Sequence, residues 1–479
     1  MSLAKNYIYN MIYQIFTLIM PLITVPYISR VLGSNGVGIN AYTYSIIQYF
    51  ILFGTIGISL YGNRVIAYVR DNKMELSRTF WGIFYLKCIT TFFALLIFLI
   101  FLYFSKEYQN IFLLQSLYLI SATLDISWLF MGLEDFKKTV VRNLLLKVLG
   151  VICVFTFVKS ASDLWKYILI LALAQLIGQL TMWLYLPQTV NRIKVRWNDV
   201  KKHFMPSLYL FVPQIAVQVY VVLNKTMLGS ISNTTEVGYF DNSEKITKMA
   251  LAVVTAMGVV MLPRISNTFA KGDMKKVKDY LYQTFEFASY LSFPMMFGLA
   301  GIANEFTPWF FGPGFSKTGI IIGVISPIIV FIAWSNVLGL QYLMPVGKVK
   351  GYTISVCAGA VINFILNLIL IKNYTSLGTA IATVVAEFAV TAVQLFWIRR
   401  DIEIHKLFNS TWKYLISSLT MYCFLRIIGR LLNAGLITTI IQVIVGFSIY
   451  ILLLLLLKSK INQKLLTIGW GMVRGIFKN

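Results

Sequence analysis

The segment VLGSNGVGINAYTYS, Val31–Ser45, separates two long apolar runs near the start of the chain. It carries three glycines, two asparagines and two tyrosines, so it interrupts an otherwise apolar sequence. A similar segment, MLGSISNTTEVGYFDNS, occupies Met227–Ser243. Both read Leu-Gly-Ser, a polar spacer and Val-Gly, followed by a tyrosine and a serine. The pair of segments predicts an internal repeat.

The two segments align in register at both of their glycine motifs. Leu32–Ser34 matches Leu228–Ser230 at an offset of 196 residues. The Val37-Gly38 pair matches Val237-Gly238 at an offset of 200 residues, after a four-residue insertion. The shared order of motifs favours a duplicated helical unit over a chance match.

A second pair of segments supports the same repeat. FMGLEDFKK, Phe130–Lys138, corresponds to LMPVGKVKG, Leu343–Gly351, each with a methionine before a basic turn. Six apolar runs separate the members of both pairs. An even number of crossings keeps the two halves in the same orientation, so the repeat is predicted to be parallel.

The composition identifies the class of protein that carries this repeat. Hydrophobic residues make up 58% of the 479 positions and charged residues 13%, and the mean hydropathy is +0.75. Apolar runs of twenty or more residues recur throughout, as expected of transmembrane helices. We therefore predict an all-α polytopic membrane protein with about fourteen spans. The predicted spans are 7–29, 38–61, 80–104, 108–131, 138–158, 165–187, 204–229, 237–262, 281–302, 318–345, 351–371, 376–398, 411–428 and 436–457.

The basic residues predict the orientation of these spans. With the N-terminus in the cytoplasm, 28 of the 42 Lys and Arg lie in or beside cytoplasmic segments and 7 in or beside external ones. Such a bias over short loops sets membrane topology. Both termini are therefore predicted to be cytoplasmic. Most of the net charge of +24 then serves as an orientation signal and does not indicate nucleic-acid binding.

The repeat also predicts the domain organisation. We expect an N-terminal six-helix lobe at 1–190, a cytoplasmic linker at 191–203, a C-terminal six-helix lobe at 204–400, and two additional helices with a tail at 401–479. Parallel repeats are related by an axis along the membrane normal, with the substrate path between them. Alternating access, in which the halves rock around a shared cavity, is the expected mechanism.

Two stretches resemble a known family. VPYISRVLGSNGVGINAYTYSI, Val25–Ile46, combines a proline-containing helix, an Arg before Leu-Gly, and glycines leading into an aromatic helix. WLFMGLEDFKKTVVRN, Trp128–Asn143, joins bulky apolar residues to Gly-x-Glu. Both resemble the Wzx-like polysaccharide transporters of the multidrug/oligosaccharidyl-lipid/polysaccharide exporter superfamily. The resemblance extends over essentially the whole chain.

The resemblance implies a flippase and not an enzyme. Family members move polyprenyl-pyrophosphate-linked oligosaccharide repeat units from the inner to the outer leaflet of the bacterial cytoplasmic membrane. They have a V-shaped, two-lobed fold with a cationic cavity and hydrolyse no nucleotide. The resemblance also implies a coupling ion, H⁺ or Na⁺, or the membrane potential, but no metal and no other cofactor. Polysaccharide polymerase and chain-length proteins are the implied protein partners.

Charged residues inside the predicted spans are the candidate functional groups, because a charge in hydrocarbon is costly. Lys87, Asp125 and Lys147 lie on consecutive spans at similar depths in the cytoplasmic half. We predict a Lys87–Asp125 pair, with Lys147 nearer the cavity. A purely structural ion pair is the open alternative to a role in coupling.

A second set of charges lies in the predicted outer half. Glu244 and Lys248 are four residues apart, so they share a helix face and are predicted to pair. Lys245, Lys225 and Arg30 complete a basic cluster, and cationic side chains of this kind bind pyrophosphate. Snorkelling to the interface is the alternative for Arg30 and Lys225.

Glu387 is the deepest acid and continues a polar stripe with Thr379, Thr383 and Thr391, spaced every four residues. Polar stripes often join helices. A carboxylate at this depth has to pair, bind a proton or face water. A role for Glu387 in proton or cation coupling is therefore the functional hypothesis, and helix packing is its alternative.

Glycines and prolines are the predicted hinge residues. Prolines inside a helix remove a hydrogen bond and produce kinks, and the repeat segments contribute glycines at the turns between helices. Static kinks are the alternative to moving hinges. The predicted hinge residues are Gly33, Gly36, Gly38, Pro21, Pro26, Pro213, Gly229 and Gly238.

Three tyrosines of the second span, Tyr42, Tyr44 and Tyr49, flank Asn40 and Gln48. If this helix lines a cavity, its aromatic and amide groups can stack on sugars and form hydrogen bonds with them. Packing between helices is the alternative use of these side chains.

The sequence leaves two other functions as alternatives. A multidrug exporter of the MATE type would share the repeat, but such exporters favour acidic cavities, whereas the charges inside these spans lean towards basic. A membrane glycosyltransferase or polymerase would need a long external loop or a recognisable catalytic motif. The sequence contains neither a phosphate-binding loop nor a nucleophile elbow.

Overall fold

The computed structural model describes residues 3–463, and every regular element in that range is helical. This confirms the all-α prediction. Within that range, the side chains that are not described are those of residues 3–15, 17, 18, 136–141, 212–214, 216, 217, 257, 259 and 260.

The helices form two compact units, which divide after Gly238. The division falls later than the predicted linker at 191–203, because the helix that follows the linker packs against the first helix of the chain. The lobe boundaries predicted from the repeat therefore stay a prediction.

The first unit holds ten helices and the opening residues of an eleventh. They are α1 (Leu3–Thr55), α2 (Ile58–Val69), α3 (Lys73–Phe104), α4 (Gln109–Leu124), α5 (Ser127–Gly132), α6 (Phe136–Phe157), α7 (Leu164–Trp183), α8 (Leu186–Thr189), α9 (Trp197–Lys201) and α10 (Phe204–Ile231). A short 3₁₀ turn, Ala161–Asp163, precedes α7.

The second unit is built from the remaining helices. They are α11 (Thr234–Ala270), α12 (Met274–Phe311), α13 (Ser316–Ile325), α14 (Ile328–Ser335), α15 (Val349–Ile398), α16 (Ile404–Phe408), α17 (Thr411–Leu431) and α18 (Leu436–Leu456). A 3₁₀ turn, Pro313–Phe315, precedes α13, and a π-helical segment, Asn336–Leu343, continues α14.

Several helices are long and apolar enough to cross a membrane, which identifies a multi-pass membrane protein. Within residues 3–463 there are eight, or ten if each of two bent helix pairs crosses once. The number fourteen stays a prediction. Two helices contain a break: α1 has non-helical angles at Gly33 and α15 at Thr375. Uninterrupted, the 53 residues of α1 would extend about 80 Å, far beyond a hydrocarbon core of about 30 Å.

The helix starts at two basic loops are set by local capping. The Asn72 side chain accepts hydrogen bonds from the backbone N–H groups of Met74 and Glu75 at 3.1 and 3.2 Å, which starts α3. The Asp273 side chain accepts from the N–H of Lys276 at 3.0 Å, which starts α12. Both residues satisfy donors that have no partner in the first helical turn.

Each unit has its own aromatic core. In the first, the buried ring of Phe80 stacks on Trp128 at 5.5 Å between centroids. In the second, Phe285 stacks on Trp334 at 5.3 Å. Lipid tails are as apolar as these side chains, so close packing and hydrogen bonds hold membrane helices together more than hydrophobic burial does.

A close backbone approach in the first unit joins the two Val-Gly motifs of the repeat. A methyl group on Gly38 would lie 1.6 Å from the carbonyl oxygen of Thr234, and one on Gly238 would lie 2.0 Å from that of Ser34. Gly38 and Gly238 are 200 positions apart, and so are Ser34 and Thr234. Ser34 and Thr234 each lie four residues before the glycine of their motif, so the start of α11 crosses α1 in a contact that is symmetrical about the two Val-Gly motifs.

Candidate functional site

Lys87 of α3 is a fully buried charged residue. Its ammonium group donates a hydrogen bond to the backbone carbonyl of Asp125 at 2.7 Å and lies 4.0 Å from the Asp125 carboxylate. The structure thus brings together the two residues that the sequence predicted to pair. The shorter contact is to the backbone and not to the carboxylate. This favours a positioning role for Lys87, and a role in coupling stays a prediction.

Asp125 marks a break in its own span. It follows the last residue of α4, and its carboxylate accepts the backbone N–H of Ser127 at 2.8 Å at the start of α5. The Trp183 ring N–H donates to the carbonyl of Leu124 at 2.9 Å. Lys87 and Trp183 therefore satisfy carbonyl groups that a helix end leaves without a donor.

The acidic and basic residues of α11 form two ion pairs. The Glu244 carboxylate lies 2.7 Å from the Lys248 ammonium, the pair predicted from the four-residue spacing. Lys245 pairs with Asp241 at 2.5 Å, which the sequence analysis did not anticipate although the spacing is the same. Both carboxylates are buried, while the lysine side chains are 43% and 40% exposed. The lysines thus keep donors available for an anionic ligand.

The other three predicted cavity cations lie on separate helices of the first unit. Arg30 is exposed on α1, and Lys147 and Lys225 are half-buried on α6 and α10. Each of them takes part in a polar or electrostatic contact. Their role in binding a pyrophosphate stays a prediction.

Glu387 is buried on the second part of α15, within the predicted polar stripe. Thr383 donates to the backbone of Thr379 at 2.7 Å, and Thr391 donates to the carbonyl of Phe331 on α14 at 2.9 Å. The first bond lies within α15, so of these two it is the Thr391 bond that joins helices. Glu387 itself has a polar or electrostatic contact. Its role in coupling stays a prediction.

The predicted hinge residues differ in their backbone geometry. α1 remains helical through Pro21 and Pro26 and breaks at Gly33, where φ is 69° and ψ is 177°. Angles of this kind favour glycine. Gly36 continues the helix beyond the break, and the side chain of Pro213 lies outside the described residues. A methyl group on Gly229 would lie 2.1 Å from the ring of Tyr42, so this glycine allows close packing.

A partly buried ionic cluster in the second unit has no role predicted from the sequence. Arg426 of α17 lies 3.7 Å from the Glu305 carboxylate of α12, which also accepts from the Gln442 amide of α18 at 3.4 Å. These contacts fasten the two additional helices to α12. The sequence signal was a pair of opposite charges near helix ends, but 121 residues separate them.

A groove runs between α12 and the two additional helices in the second unit. Its volume is about 590 Å³, and its walls are largely apolar, including Pro294 and Gly298 of α12, Met421 of α17 and Gly446 of α18. Phe447 lies at one side of the groove and is 67% exposed.

Within residues 3–463, no group of three His, Cys, Asp or Glu side chains is placed to hold a metal ion.

His203 lies in the predicted linker, just before α10. It is buried, and its Nδ1 shares a hydrogen bond of 2.7 Å with the Tyr61 hydroxyl. Burial, the largest cause, and the nearby Lys202 charge lower the pKa of this imidazole from 6.5 to about 4, while the Asp199 charge opposes the shift. His203 is therefore neutral at pH 7.

Protonation of His203 is expected to destabilise the protein in acid. The unfolded chain binds a proton near pH 6.5 and the folded chain only near pH 4. The stabilisation is therefore present above pH 6.5 and is lost as the pH falls towards 4, by up to about 3 kcal/mol. Melting temperatures at pH 7.5 and 5 should converge in His203→Gln. His405→Gln, which changes the exposed second histidine, should keep the wild-type difference; equal profiles for all three proteins would contradict the prediction.

Two family models match most of the chain between them. The model described as polysaccharide biosynthesis protein matches residues 3–269, and the model described as lipid II flippase MurJ matches residues 143–454. Each covers more than half of the 479 residues. These matches confirm the family resemblance noted in the sequence.

Individual proteins of known sequence or structure are similar to this chain over most of its length. A protein of Escherichia coli strain K12 named "Putative O-antigen transporter" is 24% identical over 409 residues, which cover 84% of this chain and 98% of that protein. A lipid II flippase MurJ structure in an inward closed conformation has a TM-score of 0.77 at 14% identity, covering 97% of this chain and 100% of that one. An inward-facing MATE multidrug transporter has a TM-score of 0.61 at 12% identity, covering 83% and 96%. At such identities the two structures show the fold alone.

The chain belongs to the polysaccharide biosynthesis protein family, as a Wzx-like member of the multidrug/oligosaccharidyl-lipid/polysaccharide exporter superfamily.

Proposed function

We propose that this protein is a flippase for a polyprenyl-pyrophosphate-linked oligosaccharide repeat unit. It moves the unit from the inner to the outer leaflet of a bacterial cytoplasmic membrane by alternating access. Both termini lie in the cytoplasm in this proposal, and a polysaccharide polymerase and chain-length proteins use the product. The names of the relatives support a lipid-linked glycan as the cargo.

The observation that carries this proposal is the apolar groove of the second unit. Pockets for soluble ligands combine apolar walls with several converging polar groups, whereas this groove is almost wholly apolar. Phe447 at one flank of the groove is exposed, and in this proposal that flank faces lipid. A polyprenyl tail fits such a surface because it remains in contact with hydrocarbon while the glycan crosses.

The cationic groups supply the complementary part of the proposal. Lys245 and Lys248 of α11 carry ammonium groups that are partly exposed above buried carboxylates. A pyrophosphate offers several charged oxygens to such donors. Arg30, Lys87, Lys147 and Lys225 are proposed as the cavity cations of the first unit.

A coupling ion, H⁺ or Na⁺, is also part of the proposal. Asp125, Glu244 and Glu387 are the acids proposed to bind it or to respond to it, and Glu387 is the deepest by sequence position. Transport into vesicles with an imposed pH or Na⁺ gradient tests this idea. A Glu387→Gln protein that responds to the gradient like the wild type would exclude this residue as the coupling site.

Deletion of the gene tests the function directly. Lipid-linked repeat units should accumulate in the cytoplasmic leaflet, and the wild-type gene should restore polymer. A strain that makes polymer without such accumulation would overturn the proposal. Sensitivity to organic cations in place of accumulation would instead indicate a MATE-type exporter.

Filling the groove tests the role assigned to it. Gly446→Leu adds a branched side chain to the groove wall next to Leu425, so it is expected to reduce transport at least about tenfold, or ~1.4 kcal/mol. Ile444→Leu is the matched control, because Ile444 is 61% exposed on the same helix and does not line the groove. Complementation by each variant at equal protein level measures the effect. Full transport by Gly446→Leu would remove the groove from the proposal.

A further inference from the structure

A second cavity is lined only by residues of the first unit, and none of the predicted cations or of the groove residues is among them. Its volume is about 400 Å³, within the range of small-molecule sites. It is an open cavity lined by the second part of α1, the end of α3, the start of α4 and the end of α10. In the topology proposed above, this end of the unit faces outwards.

The walls of this cavity are mainly aromatic, with a few polar groups. Six of its eleven lining residues carry aromatic rings: Tyr42, Tyr49, Phe50, Phe101, Tyr108 and Phe112. The polar lining residues are Ser105, Glu107, Thr226 and Ser230. A pyranose ring presents C–H groups on its faces and hydroxyls at its edge, so it needs both kinds of surface. The positively polarised C–H groups are attracted to the negative face of an aromatic ring.

Hydroxyl groups from two helices converge at the cavity. The Tyr42 and Ser230 hydroxyls share a hydrogen bond of 3.2 Å, and Thr226 shares one of 2.8 Å with Ser45. A hydroxyl has one donor and two acceptor positions. These groups therefore retain capacity to bind the hydroxyls of a ligand.

Tyr108 stands at the cavity in a conformation that is unfavourable for a bulky residue. It has φ 58° and ψ 21° in the left-handed region, just before α4. Its ring lies edge-on to that of Tyr42, with 6.4 Å between centroids. Strain at a ligand site is a recognised reason for such geometry, and here it holds the ring in the cavity wall.

The charge of the lining points to the type of sugar. Glu107 carries the one carboxylate among the described residues that line the cavity, and no lysine or arginine is among them. A second carboxylate in the same space would be unpaired. Sites reject competitors by such unpaired charges.

We propose that this cavity binds one uncharged pyranose ring of the transported glycan and discriminates against uronic acids. The proposal rests on the proposed function, because a glycan cargo supplies the sugar. Tyr108 and Tyr42 contact the faces of the ring, while Glu107 and the hydroxyls bind its edge. The cavity is thus a specificity site for the glycan and is separate from the groove for the lipid.

Saturation-transfer NMR on the full-length protein in lipid nanodiscs tests the proposal, with methyl glucoside, methyl N-acetylglucosaminide and methyl glucuronide as probes at millimolar concentration. Nanodiscs avoid sugar-based detergents, which would compete. The two neutral glycosides are expected to bind and the glucuronide is not. Glu107→Gln should admit the glucuronide. Absence of binding by both neutral probes, or equal binding of all three, would overturn the proposal.

Tyr108→Asn separates a ligand role from a structural one. Asparagine tolerates the left-handed region better than tyrosine does, so the melting temperature should be unchanged or higher. Removal of the ring should weaken binding of the neutral glycosides roughly threefold to tenfold. Tyr103→Leu is the control. Tyr103 lies at the end of α3, is 79% exposed and does not line the cavity. Wild-type affinity in Tyr108→Asn would contradict the proposal.

This outcome is distinguishable from failure of the proposed function. If deletion of the gene causes no accumulation of lipid-linked units but Tyr108→Asn loses glycoside binding, the sugar site stands and the flippase proposal fails. If accumulation occurs and no neutral glycoside binds, the flippase proposal stands and the sugar site fails.

Discussion

Gly38→Ala is expected to destabilise the protein by about 3 kcal/mol or more, the upper range for overpacked sites. The added methyl group would lie 1.6 Å from the backbone oxygen of Thr234, which no side-chain rotation relieves. The crossing of α1 and α11 would have to open by more than 1 Å to reach an ordinary contact of roughly 3.4 Å. Thermal unfolding of the purified protein measures the loss, and transport should fall with it.

Three further variants define the origin of this effect. Gly238→Ala places its methyl group 2.0 Å from the oxygen of Ser34, so a similar loss is expected. Because both changes open the same crossing, the double variant should lose less than the sum of the two. Gly150→Ala is the control, since its methyl group meets an ordinary contact at 3.8 Å. Strict additivity, or a tolerated Gly38→Ala, would mean that the crossing is not a single close-packed contact.

This crossing illustrates what the sequence could and could not predict. The repeat identified Gly38 and Gly238 as equivalent positions, and small residues at membrane helix contacts are expected in general. Equivalence does not show that the two positions touch each other. That depends on how the end of α10 and the start of α11 return to α1, which is a long-range property of the fold.

Local spacing was sufficient for some contacts and misleading for others. The Glu244–Lys248 pair follows from a four-residue separation on one helix. Pro21 and Pro26 were expected to kink α1, but α1 stays helical through both, because membrane helices tolerate proline when neighbouring groups satisfy the freed carbonyls. The observed break is at Gly33, within the glycine-rich turn predicted between the first two spans, where the backbone adopts angles that favour glycine.

For contacts between distant segments, the sequence could predict only which residues lie at the same depth in the membrane. Counting residues from the span ends placed Lys87 and Asp125 in one layer, and the structure joins them. The break after α4 was not visible, because no glycine or proline marks residues 124–126. The acceptor for Lys87 therefore proved to be a main-chain carbonyl, which no side-chain pattern identifies.

Lys87→Met is expected to destabilise the protein by about 3–5 kcal/mol, the usual cost of removing one member of a buried charged contact. The variant keeps the length and apolar stem of the side chain but removes the shorter of two hydrogen bonds to the Asp125 carbonyl, which retains the Trp128 ring N–H at 3.1 Å. It also leaves the Asp125 carboxylate without its counter-charge. Thermal unfolding at pH 7.5 measures the change. Lys201→Met, which changes an exposed lysine, should remain within about 0.5 kcal/mol of the wild type.

The partner substitution distinguishes fastening from coupling. Asp125→Asn removes the charge, but its side-chain oxygen can still accept the N–H of Ser127, so the start of α5 is preserved. In the double variant with Lys87→Met no carboxylate is left without a counter-charge, and part of the stability should return. If the pair only fastens α3 to the break after α4, Asp125→Asn transports normally at a normal protein level. Loss of gradient-dependent transport in a stable Asp125→Asn protein would instead assign this carboxylate to coupling, because a fastening role alone does not require its charge.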